Sequence, residues 1–385
     1  MTITVVCDIF GEENNGTLVA TMNLIRFLQA QGHTVRILCA DQSKKGEQNF
    51  FVVSNQSFGK PLNAVVRRVG VTLAKPDYSV IEQALQGADH VHIMFPLGLG
   101  CAAIKVARKM NLSVTAGFHM QAENMTGYVG LNKSLLANIC VYKYIYNHLY
   151  RFVDAIHYPT DFIRDVFEKR IGRRTNGYVI SNGVHSYMKK REVDKPEEYR
   201  DKIVILSTGR YSREKSQDTL IKAVRYSAHR DRIQLILAGQ GIKEKEYRRL
   251  AKKLPLQPVF RLFSREEMAE VLNYCDMYVH PAIAELEGIA CLESMACGKL
   301  TIVSDSEKSA TKGFAIDGKC IFKSKNAKDL ARVIDYWIER PAEREVYAQR
   351  YAASPAVQNQ EDCMRQMEQM IFEVHAKKQR AKQFI

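Results

Sequence analysis

Two hydrophobic periods alternate along almost the whole chain. "ITVVCDIF" is a nearly continuous apolar run and predicts a β-strand. "TLVATMNLIRFLQAQG" places Leu18, Met22, Ile25 and Leu28 at the spacing of one helix face, and Gly32 closes the helix. "HTVRILCA" predicts a second strand, so the opening reads as a βαβ unit, whose connection rules make the strands parallel. Strands follow at "DHVHIMF", "LSVTAGF", "VDAIHYP" and "GYVIS", with a helix over 98–110. After "NGVHSYMKKREVDKPEEYRDK" the pattern starts again. "IVILSTGR", "IQLILAGQG", "PVFRLF", "MYVHPA" and "LTIVSD" predict strands separated by helices, and residues 326–382 read as three helices without a strand. The expected fold class is α/β: two Rossmann-like domains, 1–190 and 191–365, facing across a cleft, with a C-terminal helix (about 366–385) crossing back to the first.

Composition narrows this picture. A chain of 385 residues, 46% hydrophobic and 25% charged, has the size and balance of a two-domain soluble protein. It contains no apolar run of 18 residues, so no spanning helix is expected, and its N-terminus has no basic leader of the signal-peptide kind. The nine cysteines are scattered, with no C-x-x-C pair, as in reduced cytoplasmic proteins rather than disulfide or zinc frameworks.

The net charge of +14 suggests an anionic partner. The basic residues are interleaved with folded elements and no nucleic-acid recognition module is recognisable, so nucleic acid is not expected. No acid lies between Glu47 and Asp77, where Lys60, Arg67, Arg68 and Lys75 fall among valines. Residues 60–76 therefore read as a basic amphipathic segment able to lie on an anionic membrane. Residues 133–153, rich in tyrosine, read as a core helix preceding "VDAIHYP".

In open α/β sheets ligands bind beyond the C-terminal ends of the strands, which selects the polar residues to consider. "IVILST" runs into Gly209-Arg210, with Glu214-Lys215 just beyond; Arg and Lys there supply donors for phosphate oxygens. "MYVH" runs into a loop carrying Glu285, and Gly288-Ile289 open a helix whose free N–H groups favour an anion. Glu293 lies in that helix among apolar residues, where a carboxylate needs partners. Two carboxylates eight positions apart around an anion site fit a ligand with both a diphosphate and hydroxyls, which is a nucleotide sugar. The first loop has Asn15-Gly16 and no G-x-G-x-x-G, so the dinucleotide fingerprint of an oxidoreductase is missing.

"STGRYSREK", "LAGQG", "ISNGV" and "FSREEMAEVLNYCDMYVHPAIAELEGIACLESMACGKLTIVSD" together resemble the retaining glycosyltransferases of family 4, which have the GT-B fold. The resemblance covers nearly the whole chain and is most specific over 207–305. It implies that Arg210 and Lys215 clamp the donor diphosphate, and that Glu293 accepts from the ribose hydroxyls. Glu285, with the backbone of Gly288 and Ile289, would hold the transferred sugar, and Glu285 is a candidate nucleophile as well as a candidate sugar-binding acid. Gly16 would approach the donor phosphate or the acceptor, and His119, ending "SVTAGFH", would face the reacting sugar. The sequence departs from the family at Asn15-Gly16, where a glycine pair is frequent, and at Glu287, where an aromatic is frequent.

No Asp-x-Asp is placed to bridge a diphosphate through a metal, so metal-independent transfer without a cofactor is expected. The resemblance further implies a UDP-glucose donor and a membrane lipid acceptor such as diacylglycerol, with the protein peripheral at the inner face of the cell membrane. A cell-surface polysaccharide or other soluble acceptor, and a nucleotide-sugar-binding protein without catalysis, remain alternatives.

Overall fold

A computed structural model describes residues 1–10, 16–56, 73–127, 131 and 134–383, the side chain of Asn124 excepted. The basic segment at 60–76 and the Asn15 position thus lie largely or wholly outside the described residues. The chain divides into two compact units, Met1–Asn182 with Glu361–Ile385, and Gly183–Gln360.

The first unit carries a seven-stranded sheet of β1 (Thr2–Cys7), β2 (Thr34–Cys39), β3 (Phe50–Val52), β4 (His90–Ile93), β5 (Ser113–Gly117), β6 (Ala155–Tyr158) and β7 (Gly177–Val179). Their spatial order is β3-β2-β1-β4-β5-β6-β7, and every pairing is parallel. Its helices are α1 (Gly16–Ala30), α2 (Tyr78–Leu85), α3 (Gly98–Lys109), α4 (Ala122–Gly127), α5 (Leu135–His148) and α6 (Asp161–Ile171). The second unit repeats the scheme with β8 (Ile203–Thr208), β9 (Ile233–Ala238), β10 (Val259–Arg261), β11 (Met277–His280), β12 (Thr301–Ser304) and β13 (Ile321–Phe322), ordered β10-β9-β8-β11-β12-β13 and again parallel. Its helices are α7 (Gln217–Tyr226), α8 (Glu244–Ala251), α9 (Arg265–Tyr274), α10 (Ile289–Ala296), α11 (Ala327–Ile338) and α12 (Pro341–Ala352); α13 (Gln360–Gln383) closes the chain.

Strand register is fixed by the same device in three places. Asp89, just before β4, donates its N–H to the Thr2 carbonyl at 2.8 Å, and its carboxylate accepts the Thr2 N–H at 2.7 Å. Asp154 does the same for Val114, and Asp276 for Val204. Each aspartate satisfies both polar groups of one residue in the neighbouring strand, so a slip of pairing would leave buried backbone groups unbonded.

The junctions fall at 182/183 and 360/361 rather than at 190/191 and 365/366. Val184 pairs with the segment before α13, its N–H reaching the Gln358 carbonyl at 2.8 Å, and Met188 is buried in the second core. Cys363, Met364, Met367, Met370, Ile371 and Val374 of α13 pack into the first core beside Ile3, Val5 and Leu24. His33 to Glu368 at 2.7 Å and Lys378 to Asp154 at 3.3 Å pin the rim of that contact.

One sequence expectation changes. Only Asn138, Tyr142 and Ile145 of α5 are buried, at i, i+4 and i+7, and Tyr142 joins the aromatic cluster around Phe118 and Phe167. Leu135, Leu136 and Tyr144 are 54%, 72% and 56% exposed. A helix apolar on all sides but packed on one has left the other bare.

Ile371 is fully buried. Ile371→Ala is expected to cost about 2–4 kcal/mol of stability by the lost burial and the cavity left behind. Urea unfolding followed by circular dichroism measures this, and an unchanged midpoint would show that α13 adds nothing to the first core.

Candidate functional site

In each sheet the connections diverge from two adjacent strands, β1 and β4 in the first and β8 and β11 in the second. Such a switch point opens a crevice beyond the strand ends. The two are equipped differently. In the first unit the helix following β4 is already capped: Asp8, at the end of β1, accepts the N–H groups of Leu99 and Gly100 in α3 at 2.8 and 3.1 Å. Burial lifts the Asp8 carboxyl to about 7 despite those bonds. In the second unit the helix following β11 is α10, and no side chain among the described residues caps it.

The loops leaving β8 and β11 are tied together and to a third. The Ile283 N–H donates to the Glu214 carbonyl at 2.7 Å. Glu285 is held on both sides by backbone bonds, its N–H to Lys308 and its carbonyl to the Ala310 N–H. Its carboxylate is thereby fixed at the mouth of the crevice. Oε1 receives Lys215, and at 3.0 Å the Nε2 of His280. Burial alone would raise this carboxyl; Lys215 and His280 outweigh it and bring Glu285 to about 2. His280 in turn meets Tyr278 Oη at 3.1 Å, and Tyr278 meets Thr208 Oγ1 at 3.0 Å.

Lys215 is thus engaged by Glu285, yet an ammonium has three donors and this contact uses one. Arg210 is half exposed, with a 3.5 Å ion pair to Glu214. Gly288 adopts φ +91°, and a Cβ there would lie 2.3 Å from Thr311 Cγ2, so only glycine opens α10 in this way. Ile289 is the first helical residue, and the first N–H groups of a helix have no partner within it. Glu293, one turn on and partly buried, receives no hydrogen bond at its carboxylate among the described residues. Burial raises its pKa to about 7, with Arg265 opposing the shift. An acid of this kind, poorly solvated and unbonded, is stabilised by donors from a ligand.

Arg210, Lys215, Glu285, Gly288, Ile289 and Glu293 therefore share one crevice of the second unit. Gly16 and His119 belong to the first. There Thr17 Oγ1 donates to the His119 carbonyl at 3.5 Å, so the start of α1 and the end of β5 are neighbours. A Cβ on Gly117 would lie 2.4 Å from His119 Nε2, so the glycine makes room for the ring. The His119 ring meets His157 edge-on at 5.5 Å, and Nε2 has no hydrogen-bond partner among the described residues. Burial, then the neighbouring His157 and His92, hold its pKa well below the usual histidine value, so His119 is a neutral imidazole. Glu287, where the family often has an aromatic, is buried.

Sequence reasoning missed Thr208, Tyr278 and His280. The signal was present: Tyr278 and His280 alternate in β11, and alternate residues of a strand share a face. Among the described residues no group of three or more His, Cys, Asp or Glu could hold a metal ion, and no helix is long and apolar enough to cross a membrane.

Known proteins resemble this chain along nearly its whole length. The family model described as glycosyl transferases group 1 matches residues 188–353, and that described as glycosyltransferase family 4 matches residues 14–186. An N,N'-diacetylbacillosaminyl-diphospho-undecaprenol α-1,3-N-acetylgalactosaminyltransferase of Campylobacter jejuni is 37% identical over 109 residues, 28% of each chain. A GDP-mannose-dependent α-(1-6)-phosphatidylinositol dimannoside mannosyltransferase of Mycobacterium tuberculosis is 28% identical over 195 residues, 49% of this chain and 50% of that one. The match thus spans half or less of the length of these relatives. Among solved structures, Anabaena HepE in complex with UDP-glucose aligns with a TM-score of 0.74 at 17% identity, over 97% of this chain and 100% of that one. This likeness gives the fold, GT-B.

The raised pKa of Glu293 has a consequence for stability. Between its ordinary value of 4.5 and about 7, the folded state holds a proton that the unfolded state has released, so stability falls as pH rises through that window. Thermal melts across the window are expected to show this fall in the wild type and a flatter profile in Glu293→Gln. Parallel profiles would show that Glu293 is well solvated.

Proposed function

Because this chain belongs to glycosyltransferase family 4, we propose that it moves a hexose from a nucleotide sugar, UDP-glucose first among candidates, to a membrane-held lipid acceptor, with retention of configuration and without a metal. The observation that carries the reading is the second-unit crevice. It offers two cations, Arg210 and Lys215, beside an uncapped helix start at Gly288-Ile289, flanked by two carboxylates of opposite character. Glu285 is held ionised and Glu293 is held near neutrality. A diphosphate suits the cations and N–H groups, and sugar and ribose hydroxyls suit the acids.

In transfer, the bond between the sugar C1 and the diphosphate oxygen breaks, and its electron pair leaves with UDP. Lys215, Arg210 and the helix start stabilise the growing negative charge, the role a metal would otherwise take. The acceptor oxygen bonds to C1 on the same face, and its proton passes to the departing phosphate. Glu285 holds the sugar hydroxyls during this step.

For the acceptor, the relatives' names refer to undecaprenol diphosphate and phosphatidylinositol carriers, both membrane lipids. The exposed face of α5 supplies a contact for such a surface. Leu135, Leu136 and Tyr144 are accompanied by exposed Lys143 and by Arg151 just beyond, an apolar and basic set suited to an anionic leaflet.

With UDP-glucose, EDTA and vesicles of diacylglycerol and anionic lipid, a hexosyl lipid is expected by mass spectrometry. Arg210→Ala should lower its yield about 10-fold or more, as loss of a charge-assisted phosphate contact implies. Product from other donors but not UDP-glucose would replace the donor, and no transfer from any nucleotide sugar would contradict the reading. Leu136→Asp with Tyr144→Asp is expected to abolish co-sedimentation with those vesicles; unchanged sedimentation would remove α5 from the account.

A further inference from the structure

A line of hydrogen bonds runs through the second unit behind Glu285, and its direction is fixed by chemistry. His280 is buried at 1% exposure and Tyr278 at 0%, in a strand whose intervening residues, Met277 and Val279, are apolar and equally buried. Burial holds His280 below the usual histidine value even though Glu285 favours its charged form. The neutral ring has one N–H. The carboxylate of Glu285 can only accept, so that N–H is on Nε2 and Nδ1 is an acceptor. Tyr278 then donates to Nδ1, and Thr208 donates to Tyr278. Every member of the line has one admissible role.

The line ends on one atom. Lys215 and His280 both bind Glu285 Oε1, while Oε2 accepts nothing among the described residues. The ion pair with Lys215 would already balance the carboxylate's charge. A fully polar line through a strand interior is costly to bury, and apolar side chains of similar volume would serve stability as well or better. What the line adds is orientation: it stops the carboxylate rotating about its terminal torsion, which is otherwise broad.

We propose that His280 and Tyr278 are positioning residues which anchor Oε1 of Glu285 so that Oε2 is presented to a hydroxyl of the transferred sugar. The inference rests on the donor reading above and adds to it a division of labour between the two oxygens. It also separates the sugar from the nucleotide: loss of the line should weaken handling of the glucosyl group and leave UDP binding alone.

The test uses the full chain with UDP and UDP-glucose as probes, measuring affinity for each by calorimetry and glucose release from UDP-glucose. His280→Leu is expected to lower glucose release about 10-fold or more, the cost of one hydrogen bond to a charged group, while UDP affinity stays within about 2-fold. His280→Gln, whose amide N–H can reach the place of Nε2–H, should recover most of the rate, and Tyr278→Phe should fall between the two. Equal losses for UDP and UDP-glucose, or a glutamine variant no better than leucine, would overturn the proposal in favour of a merely structural role. Nitrogen NMR of labelled histidine gives a reading independent of activity: His280 protonated on Nε2 and bare on Nδ1 is expected, and the opposite tautomer or a charged ring would overturn it. Wild-type protein that binds neither probe overturns the donor reading and this proposal with it. Normal donor handling in all three variants overturns this proposal alone.

Discussion

The second unit is organised around one partly buried carboxylate. Glu285 is largely shielded from water, which opposes its ionisation, yet it remains ionised because Lys215 and His280 converge on it. Removing Lys215 would leave that charge uncompensated, a larger penalty than the net worth of the pair. Three loops must therefore hold their places together: the one after β8 that carries Lys215, the one after β11 that carries Glu285, and the 308–310 segment that brackets the Glu285 backbone. A site that needs three loops in register needs a rigid sheet beneath it.

The sheets supply that rigidity through parallel pairing and the aspartate locks. Asp276 fixes β11 against β8, the two strands whose ends open the crevice. Asp89 fixes β4 against β1 in the same manner, but Asp8 then fills the helix start that follows. The two units thus share a topology and differ in what is left open. In the first the helix N-terminus is satisfied by the protein's own acid; in the second Gly288 keeps it bare. This asymmetry is the physical reason for proposing that the anion binds in the second unit.

The alternation of periods made the fold class legible, because buried parallel strands are continuous apolar runs and the helices between them are amphipathic. The motif residues of the second unit were legible for the same reason: the strand ends are sharp, so the residues beyond them are known. The short strands β3 and β13 were not foreseen, since two or three residues carry too little pattern to separate from a loop. The exposed face of α5 was misread because apolar content was taken for burial, whereas Leu136 and Tyr144 lie opposite Tyr142 and Ile145 on the helix. The line through His280 was written in the sequence as "DMYVH", echoing "DHVHI" and "DAIHY", but its meaning depends on Thr208, seventy positions from Tyr278. A contact of that separation has no local signature.

The central claim is that a nucleotide sugar occupies the crevice built by Lys215, Glu285, Gly288 and Glu293. Amide hydrogen exchange of the full chain, read by mass spectrometry with and without UDP-glucose, tests it directly. The account predicts slowed exchange in the loop after β8 (209–216) and from the Glu285 loop into α10 (283–293). Unchanged exchange in both segments at saturating UDP-glucose, or protection confined to other parts of the chain, would contradict it.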